Sequence, residues 1–424
     1  MASKKNSSQQ RERSHQEKLG VHRREFLRRS AAGAAGALVS LTAFQHPHAS
    51  EGEDSGGERT RLPKRRLGKT GLKVSVLAYG GSPFCEDVRP PVPEETVAKM
   101  LYEAMGMGLN FIDTSHLYGR GYSEKAFGKA LRGRRDKVVI FSRCPMGWGR
   151  SASEMIDESL QRLQTDHIDV YGMHGTRMSE DIADRFLEGA SRDLEKAKQA
   201  GKIGHIAATG HNAPTAMVNM IETGKVEVIE IPINPFWREF LEVVMPVAKK
   251  KDVGVVAMKP LWRGRILGPS PEADAILGSS LKEKLESCIG FGLSQDVASV
   301  SIGFLHEPHI KEDIGAALSF LRRGDKGFSD ERAKLLRPKA HESVKENCVV
   351  CNRCLPCPER VEIPRILRLE LYHRHYGLTD WAKKEYGRVR TKADKCTKCG
   401  KCTERCPYGV PAQELILKAA RELA

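Results

Sequence analysis

The chain has 424 residues, 40% of them hydrophobic, and a formal net charge of +15 at pH 7. This length predicts a large domain with an appendage, and the hydrophobic content suffices for a sizeable core. Nine Lys/Arg and three Asp/Glu fall in Met1–Ser50, so +6 of the charge lies there and +9 is scattered over the rest. Without an arginine-rich helix or a zinc-finger spacing, this excess argues against nucleic-acid binding.

The first fifty residues have the pattern of an export signal. Arg23 and Arg24 precede a Phe-Leu pair, and a mild apolar run continues to Phe44. The run is too short and too rich in Ala and Gly for a stable membrane span. The pattern resembles a twin-arginine signal, which implies export by the twin-arginine translocation machinery to the periplasm or cell envelope. The alternative is a basic disordered tail with an Ala-rich helix, and residues 51–60 are predicted to be a flexible linker.

Between residues 61 and 330, buried strands alternate eight times with amphipathic helices. The predicted strands are Val74–Ala78, Asn110–Asp113, Lys137–Ser142, Ile168–Met173, Ile203–Ala208, Val226–Ile233, Gly254–Met258 and Ala298–Ile302. They are rich in Val and Ile and lack polar alternation, as expected of strands covered on both faces. Eight such units predict an α/β fold, a (β/α)8 TIM barrel. A doubly wound sheet is the alternative, but no G-x-G-x-x-G turn occurs in the sequence.

Polar residues recur where the predicted strands end, and in such barrels the chemistry lies at that rim. They are Asp113, Tyr118, Arg143, His174, Thr209, His211, Asn234 and Lys259. Each alone has a structural explanation as a cap, a core imidazole or an ion-pair partner. Their convergence on one rim favours a site. Paired carboxylates for glycoside hydrolysis, G-x-S-x-G and H-E-x-x-H are all missing from the sequence.

Four segments carry a family pattern: Arg66–Ser75 with Gly80-Gly81, Asn110–Gly119, Ile168–Gly175 and Gly201–Ile203. Together they resemble the aldo/keto reductase family. The resemblance covers nearly the whole barrel. It implies hydride transfer between a nicotinamide, NAD or NADP, and a small-molecule carbonyl or alcohol substrate.

The resemblance also implies catalytic roles. Tyr118 would be the general acid or base, and His174 would orient the carbonyl. A phenol with a pKa near 10 is a poor acid at neutral pH unless a cation stabilises its phenolate. In the family this cation is a lysine, which is held by the aspartate that corresponds to Asp113. In this chain the lysine position is occupied by Arg143. An arginine can pair with the aspartate and supply charge, but it cannot join a proton relay.

Cofactor contacts follow from the same alignment. They are assigned to Thr209, Glu230, Lys259, Gly264 and Gly303. Glu230 stands where the family has a carboxamide-binding Gln, and Ile233 stands where an aromatic ring stacks on the nicotinamide. Leu305 replaces an arginine, and His309 and Asp313 replace Gln and Asn. NAD, NADP and no soluble nicotinamide therefore all stay open.

Three tryptophans and three cysteines of the barrel region allow further predictions. Trp148, Trp237 and Trp262 follow strands three, six and seven, which favours an aromatic-walled substrate pocket over simple loop packing. The cysteines are predicted to be small buried hydrophobes rather than nucleophiles: Cys85, Cys144 and Cys288.

Residues 337–424 are predicted to form a ferredoxin-type iron–sulfur domain. The first cysteine run is Cys348, Cys351, Cys354 and Cys357, and the second is Cys396, Cys399, Cys402 and Cys406. The second run has the bacterial ferredoxin spacing, and the first is one residue shorter. Two [4Fe–4S] clusters are expected, with zinc as the alternative, although zinc usually takes separated C-x2-C pairs. In two-cluster ferredoxins the fourth cysteine serves the other cluster, so Cys357 would complete the second site and Cys406 the first.

Helices are predicted between the runs, at Ile363–His375 and Thr379–Tyr386. Residues 360–395 hold ten Lys/Arg and five Asp/Glu. This excess fits a solvated surface, or alternatively a docking face for an acidic electron-carrier protein. The sequence as a whole predicts an exported iron–sulfur oxidoreductase with the clusters as an electron relay. The alternative is a non-catalytic electron-transfer or binding protein on a degenerate barrel.

Overall fold

A computed structural model describes residues 60–145, 150–175, 184, 186–211, 213–267, 271–323, 348, 352–376, 379–406 and 409–424. The export leader, nearly all of the linker, Trp148, Cys351 and the connection at 324–347 lie outside the described residues. What the sequence predicts for them stays a prediction.

The strands of the described residues are β1 (Lys64–Arg66), β2 (Lys73–Ser75), β3 (Leu77–Gly80), β4 (Phe111–Asp113), β5 (Val139–Pro145), β6 (Ile168–Gly175), β7 (Ile203–Gly210), β8 (Val228–Pro232), β9 (Gly254–Met258) and β10 (Ser299–Ile302). Eight of them run parallel and close into a barrel in the order β10-β3-β4-β5-β6-β7-β8-β9. The predicted (β/α)8 barrel is therefore confirmed.

Helices pack around the barrel and build the C-terminal domain. Those of the barrel are α1 (Pro83–Glu86), α2 (Glu94–Gly106), α3 (Tyr122–Ala130), α4 (Ala152–Leu163), α5 (Ser191–Gln199), α6 (Pro214–Glu222), α7 (Glu239–Val243), α8 (Met245–Lys250), α9 (Pro271–Leu277), α10 (Leu281–Leu293) and α11 (Glu307–Arg323). Those of the C-terminal domain are α12 (Ile363–Tyr376), α13 (Thr379–Gly387), α14 (Lys401–Glu404) and α15 (Ala412–Leu423). In the described part of the chain, no helix combines the length and apolar character needed to cross a membrane.

The first predicted strand is split in the structure. Lys73–Ser75 pairs antiparallel with β1, and the barrel strand begins only at Leu77. Leu67 and Val74 belong to the same buried cluster as Ala78 and the other interior residues of the barrel. The apolar residues of this stretch therefore serve two elements: a hairpin that packs on the barrel interior, and the strand that follows it.

The C-terminal domain contains the same turn-and-helix unit twice. The last cysteine of each run, Cys357 or Cys406, is followed at the third position by a left-handed residue, Arg360 or Gly409. The amide of each left-handed residue donates to the carbonyl of its cysteine, at 2.9 and 3.3 Å. Helices α12 and α15 begin six residues after those cysteines. This repetition supports a two-site architecture.

Candidate active site and cluster site

The polar residues of the rim lie two positions further along their strands than an apolar layer of the barrel interior. That layer includes Phe111, Phe141, Ala207 and Val228. Side chains two residues further along a strand point the same way. They are Asp113, Arg143, Thr209 and Glu230, and all four are buried. Strand periodicity thus brings together three of the predicted rim residues with Glu230.

Arg143 donates hydrogen bonds to two carboxyl groups and to Tyr118, the candidate catalytic residue. Its Nη2 donates to Asp113 Oδ1 and, over 2.8 Å, to Tyr118 Oη, while Nη1 donates to Glu230 Oε2. Ser301 Oγ donates to the other oxygen of Asp113. The predicted Arg143–Asp113 pair is present. The sequence did not predict the contacts of Arg143 with Glu230 and of Ser301 with Asp113, because they join distant strands.

Burial and charge set the protonation of this group. Burial lowers the pKa of Arg143, but Asp113 and Glu230 outweigh it, so the net shift is upward and the guanidinium stays charged. Burial raises the pKa of Glu230 well above its usual range, Arg143 offsets this only in part, and Asp113 adds to it. One cation only partly offsets the burial of two carboxyl groups, so the raised pKa favours the protonated form of Glu230. A neutral carboxylic acid offers one donor and one acceptor, as the carboxamide of Gln does.

Tyr118 and His174 face each other beside this cation. Their rings meet edge to face, with centroids 5.5 Å apart. Burial raises the pKa of Tyr118, Arg143 opposes the rise, and Asp113 and Glu230 add to it. Burial, and then the positive charge of Arg143, lower the pKa of His174 well below its usual value. At neutral pH the site therefore presents a phenol and a neutral imidazole.

Ser115 orients the ring of His174. Its Oγ lies 2.7 Å from His174 Nδ1 and 3.1 Å from the carbonyl oxygen of Arg143, and it accepts a hydrogen bond from the amide of Leu117. A hydroxyl can donate to Nδ1 or accept from it, so the contact holds the imidazole in place with either ring nitrogen protonated. Sequence analysis missed Ser115, although it lies within the segment that carries Asp113 and Tyr118.

The structure separates the predicted cofactor residues by environment. Thr209 Oγ1 donates to the carbonyl of Met173, and a Cβ on Gly303 would lie 2.2 Å from Pro83. Lys259 and Gly264 are left-handed on the loop after β9. Glu230 Oε1 is buried and has no hydrogen-bond partner among the described residues.

A nicotinamide carboxamide would satisfy this oxygen, so the residues fit at that end. The other end of a bound dinucleotide carries phosphate groups. There Leu305 stands in place of the family's arginine, so it offers no positive charge to a phosphate.

Two of the tryptophans, Trp237 and Trp262, belong to a group of aromatic rings that connects the barrel rim to the C-terminal domain. The rings of Trp237 and Trp262 lie 5.8 Å apart, and Trp262 lies 5.8 Å from Tyr372 and 4.9 Å from Trp381. These rings pack the two domains together, a contact that the predicted aromatic-walled pocket did not include. The prediction for the barrel cysteines is confirmed: all three are buried, and burial raises the pKa of Cys85 and of Cys144 to about 12.

One cavity of the C-terminal domain collects thiols from both runs. Its cysteines are Cys354, Cys357, Cys396, Cys399 and Cys402. Cys354 and Cys357 of the first run thus line one cavity together with three cysteines of the second, and the assignment of the fourth cysteine of each run to the other cluster stays a prediction. The amide of Lys398 donates to Cys396 Sγ over 3.4 Å. In the described part of the chain, no three His, Cys, Asp or Glu side chains converge tightly enough for a single metal ion.

Comparison with known proteins agrees with both sites. The aldo/keto reductase family model matches residues 77–290, and a 4Fe-4S dicluster domain model matches residues 347–410. L-galactose dehydrogenase of Arabidopsis thaliana is 30% identical over 311 residues, which cover 66% of this chain and 96% of that protein. Aldo-keto reductase YhdN of Bacillus subtilis is 28% identical, over 51% of this chain and 67% of that protein.

The fold is shared with aldo-keto reductase AKR11C1 from Bacillus halodurans in its holo form. The TM-score is 0.54 at 23% identity, over 65% of this chain and 95% of that one. The barrel, the family match and the C-terminal dicluster match agree, so the chain belongs to the aldo/keto reductase family and is an oxidoreductase with an added iron–sulfur domain.

Proposed function

We propose that the chain interconverts an alcohol and a carbonyl, with Tyr118 as general acid and base and clusters in the C-terminal domain as an electron relay. The observation that carries the proposal is the set of hydrogen bonds that the buried guanidinium of Arg143 donates. It holds Tyr118 Oη at 2.8 Å while Asp113 and Glu230 hold the guanidinium in place. Replacing Tyr118 by Phe is the direct test, because it removes the hydroxyl alone.

The chain's own residues account for the proton and for substrate orientation. In the oxidative direction the substrate hydroxyl gives its proton to Tyr118 Oη in its phenolate form, and the carbon gives up a hydride, which carries two electrons. His174, which Ser115 orients, faces Tyr118 and orients the substrate oxygen beside it.

The electron acceptors are the groups that the two domains would hold. A nicotinamide, when bound at Glu230, Lys259 and Gly264, supplies a hydride acceptor, and the clusters, when bound by the cysteine runs, supply one-electron acceptors. The similarity to L-galactose dehydrogenase makes hydroxylated sugars the first substrate class to test.

We expect two [4Fe–4S] clusters. Anaerobically purified protein should contain about eight irons and eight sulfides, because eight cysteines can hold two four-iron clusters. Cys402→Ser should lower both counts to about four, since Cys402 lines the cavity shared by the two runs. Metal analysis and sulfide assay check this. Four irons in the unmodified protein would leave one site empty, and zinc instead of iron would exclude the relay.

We also propose export by the twin-arginine route. Iron–sulfur clusters are built in the reducing cytoplasm, so a protein that carries them has to cross the membrane folded. Replacing both Arg23 and Arg24 by Lys should therefore retain the cluster-bearing precursor in the cytoplasm. Cell fractionation with immunodetection measures this, and a Lys4→Arg/Lys5→Arg variant is the matched control. Normal export of the double-lysine variant would rule out this route.

A further inference from the structure

Tyr118 lies in a loop whose backbone is strained. The loop connects β4 to α3, and the three residues that follow the tyrosine are all left-handed: Gly119, Arg120 and Gly121 have φ angles of 59°, 58° and 90°. A left-handed arginine is unfavourable because its Cβ crowds the following carbonyl oxygen. Such a conformation persists only where the surrounding structure imposes it, so contacts from outside the loop have to hold the loop in this shape.

Helix α4 contacts the loop before Tyr118. His116 Nε2 lies 2.8 Å from Glu158 Oε2, and the two side chains are 12% and 33% exposed. Hydrogen bonds from Arg150 and from His116 lower the pKa of Glu158 to about 2. Glu158 is therefore a carboxylate at neutral pH, so the proton of its hydrogen bond with His116 is on Nε2. The amide of His116 also donates to the carbonyl of Arg143 over 2.9 Å, which attaches the loop to β5.

The same helix contacts the loop after Tyr118. Arg162 lies one turn beyond Glu158 on α4, and its Nη2 donates to Glu158 Oε2 over 3.0 Å. Its Nη1 lies 3.3 Å from Oε2 of Glu124, a buried residue in the first turn of α3. A Cβ on Gly121 would lie 2.6 Å from Arg162 Nε. Arg162 therefore packs against the point where the loop joins α3.

We propose that Glu158 and Arg162 are positioning residues for Tyr118. They support the loop on both sides of the tyrosine, at His116 and at Gly121, and so fix the place where its hydroxyl meets the substrate oxygen. A misplacement of about 1 Å can cost about a hundredfold in rate, so this support has a direct consequence for catalysis. The inference rests on the proposed acid–base role of Tyr118 and adds the residues that set its geometry.

Fluorine NMR of holoprotein labelled with 3-fluorotyrosine measures the environment of Tyr118 without a substrate. The Tyr118 resonance is the one that disappears in Tyr118→Phe. In Glu158→Ala we expect this resonance to shift or broaden, because the loop loses a contact with α4. Asp157→Ala is the matched control: Asp157 precedes Glu158 on the same helix but pairs with Lys202 over 2.5 Å, so the resonance should stay unchanged.

Gly121→Ala tests the other end of the loop. The added Cβ would collide with the guanidinium of Arg162, so the Tyr118 resonance should shift in this variant as well. Gly133→Ala is the matched control, because Gly133 is also left-handed, with a φ of 70°, but no described atom lies within 4 Å of the added Cβ. It introduces comparable backbone strain without the contact, and the resonance should stay in place.

Kinetics separates positioning from a general loss of stability. With an aldohexose and NAD as the probes, Glu158→Ala should lower kcat about tenfold and change KM less than about twofold, because the contact acts through Tyr118 and not on substrate binding. Added to Tyr118→Phe, the same substitution should have no further effect, since the hydroxyl that it positions is already absent.

An unchanged Tyr118 resonance in Glu158→Ala or in Gly121→Ala would overturn the inference. An equal loss of kcat with and without the Tyr118 hydroxyl would overturn it too, because that result is expected of a purely structural role. Normal turnover of Tyr118→Phe would instead overturn the proposed function, and the resonance would still show whether α4 positions the tyrosine.

Discussion

Tyr118→Phe should lower the turnover of alcohol substrates at least a hundredfold while leaving the barrel folded. General acid–base catalysis contributes about 10²–10⁴-fold, and this change removes one hydroxyl with little loss of volume. Burial raises the pKa of Tyr118 above its usual value, so the phenolate needed for oxidation forms only towards alkaline pH. The oxidation rate of the unmodified enzyme should therefore rise with pH, and the residual rate of the variant should not.

Tyr122→Phe is the matched control for this experiment. Tyr122 lies four residues further along, and its hydroxyl donates to the carbonyl of Val92 over 2.8 Å, away from Arg143. It should keep normal turnover. Both variants should be assayed with a nicotinamide and with an artificial one-electron acceptor. Turnover of Tyr118→Phe near that of the unmodified enzyme with both acceptors would exclude the acid–base role.

The sequence predicted the barrel because its signals are local. Short apolar strands at regular spacing and helices between them gave the eight units, and the strand Gly254–Met258 was predicted to the residue. The hairpin of β1 and β2 was missed because Val74 and Ala78 pack in one buried cluster although they lie on different strands. An apolar pattern reports burial, and it does not report where the chain turns.

Part of the site could also be predicted, because these residues are marked by local signals in the sequence. Asp113, Tyr118, Arg143 and His174 stand at strand ends or in the loop after one, and the structure brings them together. The pairing of Arg143 with Glu230 depends on closure of the barrel, since 87 residues separate them. The contact of Trp262 with Trp381 likewise depends on how the C-terminal domain packs against the barrel, and no local signal encodes it.

Arg143→Met should lower the free energy of unfolding by about 3–5 kcal/mol, because it leaves Asp113 in the interior without its cation. Denaturant titration of the holoprotein measures this. Arg66→Met is the matched control: Arg66 makes two hydrogen bonds to Asp252, at 2.7 and 2.9 Å, but both side chains are at least half exposed. Such a pair is worth about 1 kcal/mol or less. If both variants lost the same free energy of unfolding, the buried hydrogen bonds of Arg143 would have no special role in stability.

Glu230→Gln tests the charge of Glu230 with Arg143 in place. If Glu230 is protonated, as its raised pKa indicates, exchanging a neutral acid for an amide should change the stability at neutral pH little. If it is ionised, the exchange removes an anionic partner of the buried Arg143 and should lower the free energy of unfolding. The pH dependence provides a second measurement. A carboxyl whose pKa is raised on folding stabilises the native state fully below its unfolded pKa, near 4.3, and this contribution is lost as the pH rises through the folded-state value. Glu230→Gln should therefore remove part of the fall in stability towards alkaline pH. An unchanged slope, together with a large loss of stability at neutral pH, would show that Glu230 is an ionised partner of Arg143.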